Sequence, residues 1–174
     1  MKRLLAALAA ALVLACAPGT AGAQDLNAIV AAEAAVIDAW NASPLVFRRT
    51  LFAAEASAFG VYEERPDATF RIGEPILVYA EPAGYAWRDN GDGSFSFGFD
   101  VDLLLKKPDG TIVAGKEDFQ RLELSSHERN REFMLTITLN VDGAPAGDYV
   151  LEYRIRDIAS AKSAIISLPL TIVE

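Results

Sequence analysis

A two-residue alternation near the end of the chain constrains the fold more than any other feature. In the run from Tyr149 to Arg156, Tyr149, Leu151, Tyr153 and Ile155 fall on one side, and Val150, Glu152, Arg154 and Arg156 fall on the other. Only an extended strand gathers alternate residues on one face, so this is a half-buried β-strand. The period recurs at Ser94–Leu105. There Phe95, Phe97, Phe99, Val101, Leu103 and Leu105 alternate with Ser94, Ser96, Gly98, Asp100, Asp102 and Leu104. A third copy sets Phe133, Leu135, Ile137, Leu139 and Val141 against Met134, Thr136, Thr138 and Asn140. Strands with one apolar and one wet face belong to antiparallel sheets.

Further strands are expected at Leu45–Phe52, Ala56–Glu63, Ile76–Glu81, Thr111–Ala114 and Phe119–Leu124, with a bend at Gly115 between the last two. The last strand is Ser163–Val173, with Ile166, Leu168, Leu170 and Ile172 on one face. Pro169 cannot donate to a ladder, which places this strand at an edge or on a bulge. Turn signals separate the strands: Pro66-Asp67, Gly73-Glu74-Pro75, Pro82-Ala83-Gly84, Asn90-Gly91-Asp92-Gly93, Pro108-Asp109-Gly110 and the loop Asp142–Gly147. Seven to nine strands at this spacing predict an antiparallel β-sandwich rather than βαβ units.

The beginning of the chain reads differently. Lys2 and Arg3 precede an apolar run, Leu4–Ala15, of signal-peptide length, and Ala21-Gly22-Ala23 supplies a small-residue cleavage site before Gln24. Val13-Leu14-Ala15-Cys16 also fits a lipobox, in which Cys16 would be lipidated and tether the protein. Leu14 is bulky for that pattern, so simple export is favoured, to the periplasm or beyond the cell. Asp25–Ala42 has helical character, with Leu26, Ile29, Val30, Val36, Ile37 and Trp40 on one stripe. Glu33 interrupts that stripe and is expected to reach water rather than pair with Arg48 or Arg49. Asn41-Ala42-Ser43-Pro44 ends the helix. The expected organisation is a signal peptide over 1–23, a helix or spacer over 24–44, and one sandwich domain over 45–174.

Two of the 16 basic residues and none of the 24 acidic ones lie in 1–23, so the remainder sets 14 basic against 24 acidic residues, a net charge of −10. Such a surface repels phosphate backbones and argues against nucleic acid and against docking on anionic lipid. Without Cys16 the chain has no cysteine, hence no disulfide, thiolate metal site or thiol nucleophile. Its length lets a single core bury roughly 68–70% of the unfolded surface, so no staple is needed.

Ala146-Gly147-Asp148-Tyr149 leads into the C-terminal alternation. It resembles the tyrosine corner of immunoglobulin-like and fibronectin-like sandwiches, whose tyrosine hydroxyl ties back to upstream backbone. Tyr149 matches that tyrosine, and Leu151 stands where such domains often carry a cysteine. More widely, Phe70–Pro75, Tyr79-Ala80-Glu81-Pro82 and Gly147–Ala164 resemble an exported bacterial family with no assigned role. The resemblance implies a sandwich and carries no catalytic residue across.

Chemical motifs are sparse. His127, the one histidine, sits in a charged loop beside Ser125 and Ser126, and neighbours in a loop do not build a triad. Asp89–Gly93 lacks the ligand alternation of a calcium loop and reads better as a hairpin turn. Asp100 and Asp102 share a strand face, where a solvated acidic surface is the simpler reading. Tyr85 and Trp87 lie between two turns, where aromatic rings can stack on sugar or anchor a protein. The more ordinary fate of such rings is to plug the end of a sandwich. The expectation is therefore a non-enzymatic protein of the cell envelope that binds or scaffolds a protein partner. The alternative is a carbohydrate-binding module using Tyr85 and Trp87. No metal, cofactor, nucleic acid or membrane span is expected.

Overall fold

The computed structural model describes residues 26–141 and 143–174. The expected signal peptide and Cys16 lie outside the described residues. One helix, α1 (Leu26–Ala42), precedes ten strands: β1 (Val46–Ala58), β2 (Val61–Glu64), β3 (Thr69–Arg71), β4 (Pro75–Ala83), β5 (Arg88–Asp89), β6 (Phe95–Lys106), β7 (Ile112–Ser126), β8 (Leu135–Asn140), β9 (Gly147–Asp157) and β10 (Ser163–Val173). They form two sheets. The first has the order β2-β1-β4-β8, and the second β3-β10-β9-β6-β5, with β7 also paired to β6. Among these pairings only β3 with β10 is parallel. No helix of the described residues is long and apolar enough to cross a membrane.

The alternations of the sequence become the interior. Phe97, Phe99, Val101, Leu103 and Leu105 of β6 and Tyr149, Leu151, Tyr153 and Ile155 of β9 meet Val78, Ala80, Leu135 and Ile137 of the first sheet in one core. β9 lies directly between β6 and β10, in register through Val101↔Ile155 and Leu105↔Leu151 on one side and Tyr153↔Ile166 on the other. Tyr149 is buried, and its hydroxyl donates 2.7 Å to the Pro145 carbonyl in the preceding loop. Thr171 N donates to Ala68 O on the β3 side. The Pro169 nitrogen, two residues earlier, faces the same side beyond the reach of β3, so the missing N–H disturbs no ladder.

Four expectations are corrected. The described residues form ten strands, because the short β3 and β5 carry too few residues to show a period. The expected break between Leu45–Phe52 and Ala56–Glu63 does not occur: β1 runs unbroken to Ala58, and the chain reverses at Gly60 into β2. That hairpin folds over the outer face of β4. Tyr62 lies on Tyr79 at 4.5 Å, and the Tyr79 hydroxyl accepts from Gly60 N and donates to Glu81. β4 is thereby covered on both faces, which accounts for its continuous apolar run Ile76–Ala80. The irregularity in β7 sits at Asp118 rather than at Gly115. Val101 pairs with Gln120 and Leu103 with Lys116, which leaves two extra residues on β7, and Asp118 takes a φ of 48°. Finally, β8 spans only Leu135–Asn140, with Phe133 and Val141 packing from outside the ladder.

The outer face of the second sheet carries a lattice of ion pairs. Arg156 donates through Nε and Nη2 to both oxygens of Asp102, at 3.0 and 2.9 Å, and also to Asp118. Asp118 N–H donates to Asp102 in turn, which fixes the bulge. Arg121 bridges Asp100 and Glu123, and Lys106 meets Glu152 at 2.8 Å. Asp100 and Asp102 are therefore neutralised by guanidinium groups rather than freely solvated. The Arg156 hydrogen bonds hold the Asp102 carboxyl below the usual carboxylate range, against a smaller opposing effect of burial.

Tyr149→Phe removes a satisfied hydroxyl and is expected to cost about 1 kcal/mol in urea unfolding. Tyr153 is buried with a hydroxyl that finds no partner among the described residues, so Tyr153→Phe is expected to be neutral or stabilising. Because the Asp102 pKa is depressed on folding, its ion pair stabilises the fold above the unfolded value of about 4 and is lost as pH falls through the folded value. The stability gap between the native chain and Asp102→Asn is expected to hold constant near neutrality and to narrow below about pH 4 in pH-dependent denaturation.

Candidate functional site

The aromatic end of the sandwich gathers the residues that sequence reasoning singled out. After β4 the chain makes a tight turn at Gly84, with φ +80°. A Cβ on Gly84 would lie 2.2 Å from the Pro44 carbonyl oxygen, so only glycine lets the end of α1 close over this turn. The next residue, Tyr85, is turned into the core. Its ring centroid lies 5.1 Å from Trp40, 5.6 Å from Trp87, 5.9 Å from Phe97, 5.5 Å from Phe99 and 6.1 Å from Phe133. The hydroxyl donates 2.8 Å to the Asn130 carbonyl, and burial pushes its pKa far up.

Tyr85 thus plugs the sandwich and leaves no ring face open to a ligand. Trp87 is half-buried. It stacks on Trp40 at 5.6 Å and 26°, and its indole N–H donates to the same Asn130 carbonyl at 3.0 Å. Both residues therefore hold the 127–134 segment in place.

Sequence reasoning missed the anchors around this plug. Trp40 Nε1 donates 2.7 Å to the Tyr85 carbonyl. Lys162 Nζ donates to Asn41 O at 3.1 Å and Gly84 O at 2.6 Å, which places a cation at the C-terminal end of α1 and ties it to the turn after β4. Asp157 is buried and accepts from Ala86 N–H at 2.8 Å, Ala159 N–H at 2.9 Å and the Ser160 hydroxyl. Asp157 followed by Ser160 is a turn signature legible in sequence. The reach of Lys162 across to residues 41 and 84 is not.

Two clefts flank the plug. One, of about 430 Å³, is lined by Arg48, Arg129, Asn130 and Arg131 with Glu128 and Glu132. The other, of about 300 Å³, places Glu33 and Ile37 of α1 opposite Phe95, His127 and Arg129. Arg48 lies over the Trp40 ring at 5.4 Å, and Arg129 lies over Phe95 at 4.9 Å. Arg48, Arg129 and Arg131 enter no ion pair among the described residues, and Glu33 stays exposed without one. His127 Nδ1 sits 3.0 Å from the Gly93 carbonyl, where it must carry the proton to donate, while the Ser125 hydroxyl meets Ser96.

The helix itself projects from this end. Of its apolar stripe only Trp40 is buried, while Leu26, Ile29, Val30 and Val36 are between 43% and 70% exposed. No protein-family model matches the chain, and no curated protein matches it.

Trp40→Ala would empty the contact that fixes the helix. The variant is expected to lose about 3 kcal/mol or more in denaturant unfolding, and α1 to become a site of rapid cleavage in limited proteolysis.

Proposed function

We propose that this protein is an exported immunoglobulin-like domain of the cell envelope that binds or scaffolds a protein partner and catalyses no reaction. The observation that carries the reading is the uncovered apolar stripe of α1, held out from the sandwich by the Trp40 contact. Contiguous exposed apolar surface on a folded domain marks an interaction site. Trp87 and the three unpaired arginines continue that surface, and tryptophan and arginine are the residue types that dominate interface hot spots. The immunoglobulin-like assignment is supported by the tyrosine-corner bond of Tyr149 and by the parallel pairing of β3 with β10, which ties an early strand to the sheet of the last one. Export rests on the sequence pattern of residues 1–23 alone, and a lipid on Cys16 is the variant of it in which the domain is tethered. The carbohydrate-binding alternative rests on Trp87 by itself, since Tyr85 is sealed in the core.

Envelope extract passed over the immobilised protein is expected to yield a bound protein. That partner should be lost when Val30→Glu and Val36→Glu are combined, with unfolding stability changed by no more than about 0.5 kcal/mol because both positions are exposed. Polysaccharide binding on a glycan array that disappears in Trp87→Ala would overturn the reading.

A further inference from the structure

We propose that the free edge of β7 is a self-association site, where two copies of this chain join their second sheets by antiparallel pairing of residues 119–125 about a two-fold axis at Leu122. This surface is separate from α1 and does not depend on the protein-partner reading. β7 pairs with β6 and with no other strand among the described residues. From Val101↔Gln120 to Phe95↔Ser126 the pairing runs without a register shift, so the irregularity at Asp118 lies outside it.

The alternation of main-chain groups decides what is left over. Ile158 N donates to Gly98 O, so the even-numbered residues of β6 here turn their main chain toward β9. Phe97, Phe99 and Val101 therefore face β7 and engage Leu124, Leu122 and Gln120. The N–H and C=O groups of Phe119, Arg121, Glu123 and Ser125 point away from the sheet. No backbone hydrogen bond reaches them among the described residues. Such an edge is a template for another strand, and neither proline, bulge nor lysine guards residues 119–126. At the neighbouring edge of the first sheet, the Thr136 carbonyl of β8 is already taken by Gln120 Nε2 at 3.3 Å.

Charge identifies the occupant. Outward-facing residues of the two edges must pair with each other. Arg121 opposite its own copy, or Glu123 opposite its own copy, sets like charges together. The register between these places Arg121 opposite Glu123 of the second copy, twice over, and opposite charges in that position stabilise a sheet. Both side chains belong to a balanced group with Arg88 and Asp100, so the seam carries no net charge although the chain is acidic.

The same register sets Leu122 against its own copy on the axis. Leu122 and Leu124 lie on the inner face, beside Phe99 and Phe97. Leu122 packs on the core, and Leu124 is 53% exposed. Pairing continues this leucine strip across the axis and takes Leu124 out of water. The contact is isologous and consumes the edge, so it closes as a dimer rather than a fibre. One short strand pair is a small interface, which makes the dimer weak and reversible.

The test is sedimentation velocity of the protein over a concentration series, with amide hydrogen exchange at both ends of the series. A monomer–dimer equilibrium is expected. The amides of Arg121 and Glu123 are expected to gain protection as the dimer fills, while those of residues 30–34 do not. Leu124→Lys, at an exposed position, is expected to weaken the dimer about tenfold or more. Glu123→Pro removes an outward-facing N–H and no bond to β6, and is expected to abolish the dimer. In a Cys16→Ser background, Leu122→Cys is expected to oxidise to a disulfide-linked dimer and Leu124→Cys is not. The proposal is overturned if the protein stays monomeric at every concentration, or if a dimer forms while the Arg121 and Glu123 amides stay unprotected. It is equally overturned if Leu124→Lys leaves the dimer unchanged, or if Leu124→Cys cross-links and Leu122→Cys does not.

Discussion

The burial of the Tyr85 ring against Trp40 is the contact on which this end of the molecule depends. The ring itself completes the core, between Phe97 and Phe99 of one sheet and Phe133 leading into the other. Its backbone carbonyl receives the Trp40 indole, which fixes the end of α1, and its hydroxyl holds the Asn130 carbonyl, which fixes the 127–134 segment. A single residue thereby ties together three parts of the chain that are far apart in sequence. A buried hydroxyl or carbonyl without a partner costs stability, and in Tyr85 both the hydroxyl and the backbone carbonyl are bonded.

This anchoring divides α1 into two functional halves. The last turn is bound by Trp40 and by Lys162 on the Asn41 carbonyl, while the earlier turns extend beyond the sandwich with apolar side chains in water. Packing on the sandwich therefore accounts for one turn of the helix and leaves the rest of the stripe available. At the other face the logic is electrostatic. The strands that bury Leu151, Tyr153 and Ile155 inward must present Glu152, Arg154 and Arg156 outward, and cross-strand pairing neutralises most of those charges but leaves Arg154 exposed.

Residues with a period of two were legible from sequence, because one buried face imposes it directly. β6, β9 and β10 fall where Phe95–Leu105, Tyr149–Ile155 and Ile166–Ile172 place them, and Tyr149 makes its backbone bond. β3 and β5 were not legible, being three and two residues long and defined by their neighbours. The length of β1 was hidden because its second half pairs with β2, where exposed and buried positions do not alternate. The stripe of α1 was visible as periodicity, but periodicity cannot say whether anything covers it. At the site, Tyr85 and Trp87 were found as aromatics between turns. Their difference in burial was set by long-range partners, Trp40 and Asn130, that no local pattern announces.

Amide and indole hydrogen exchange tests most directly whether α1 is held at one end and free at the other. The account predicts that the Trp40 indole N–H exchanges as slowly as the amides of β6 and β9, while amides of residues 30–34 exchange orders of magnitude faster through local fraying. Uniform, core-like protection along the whole of α1, or a Trp40 indole that exchanges freely, would contradict it.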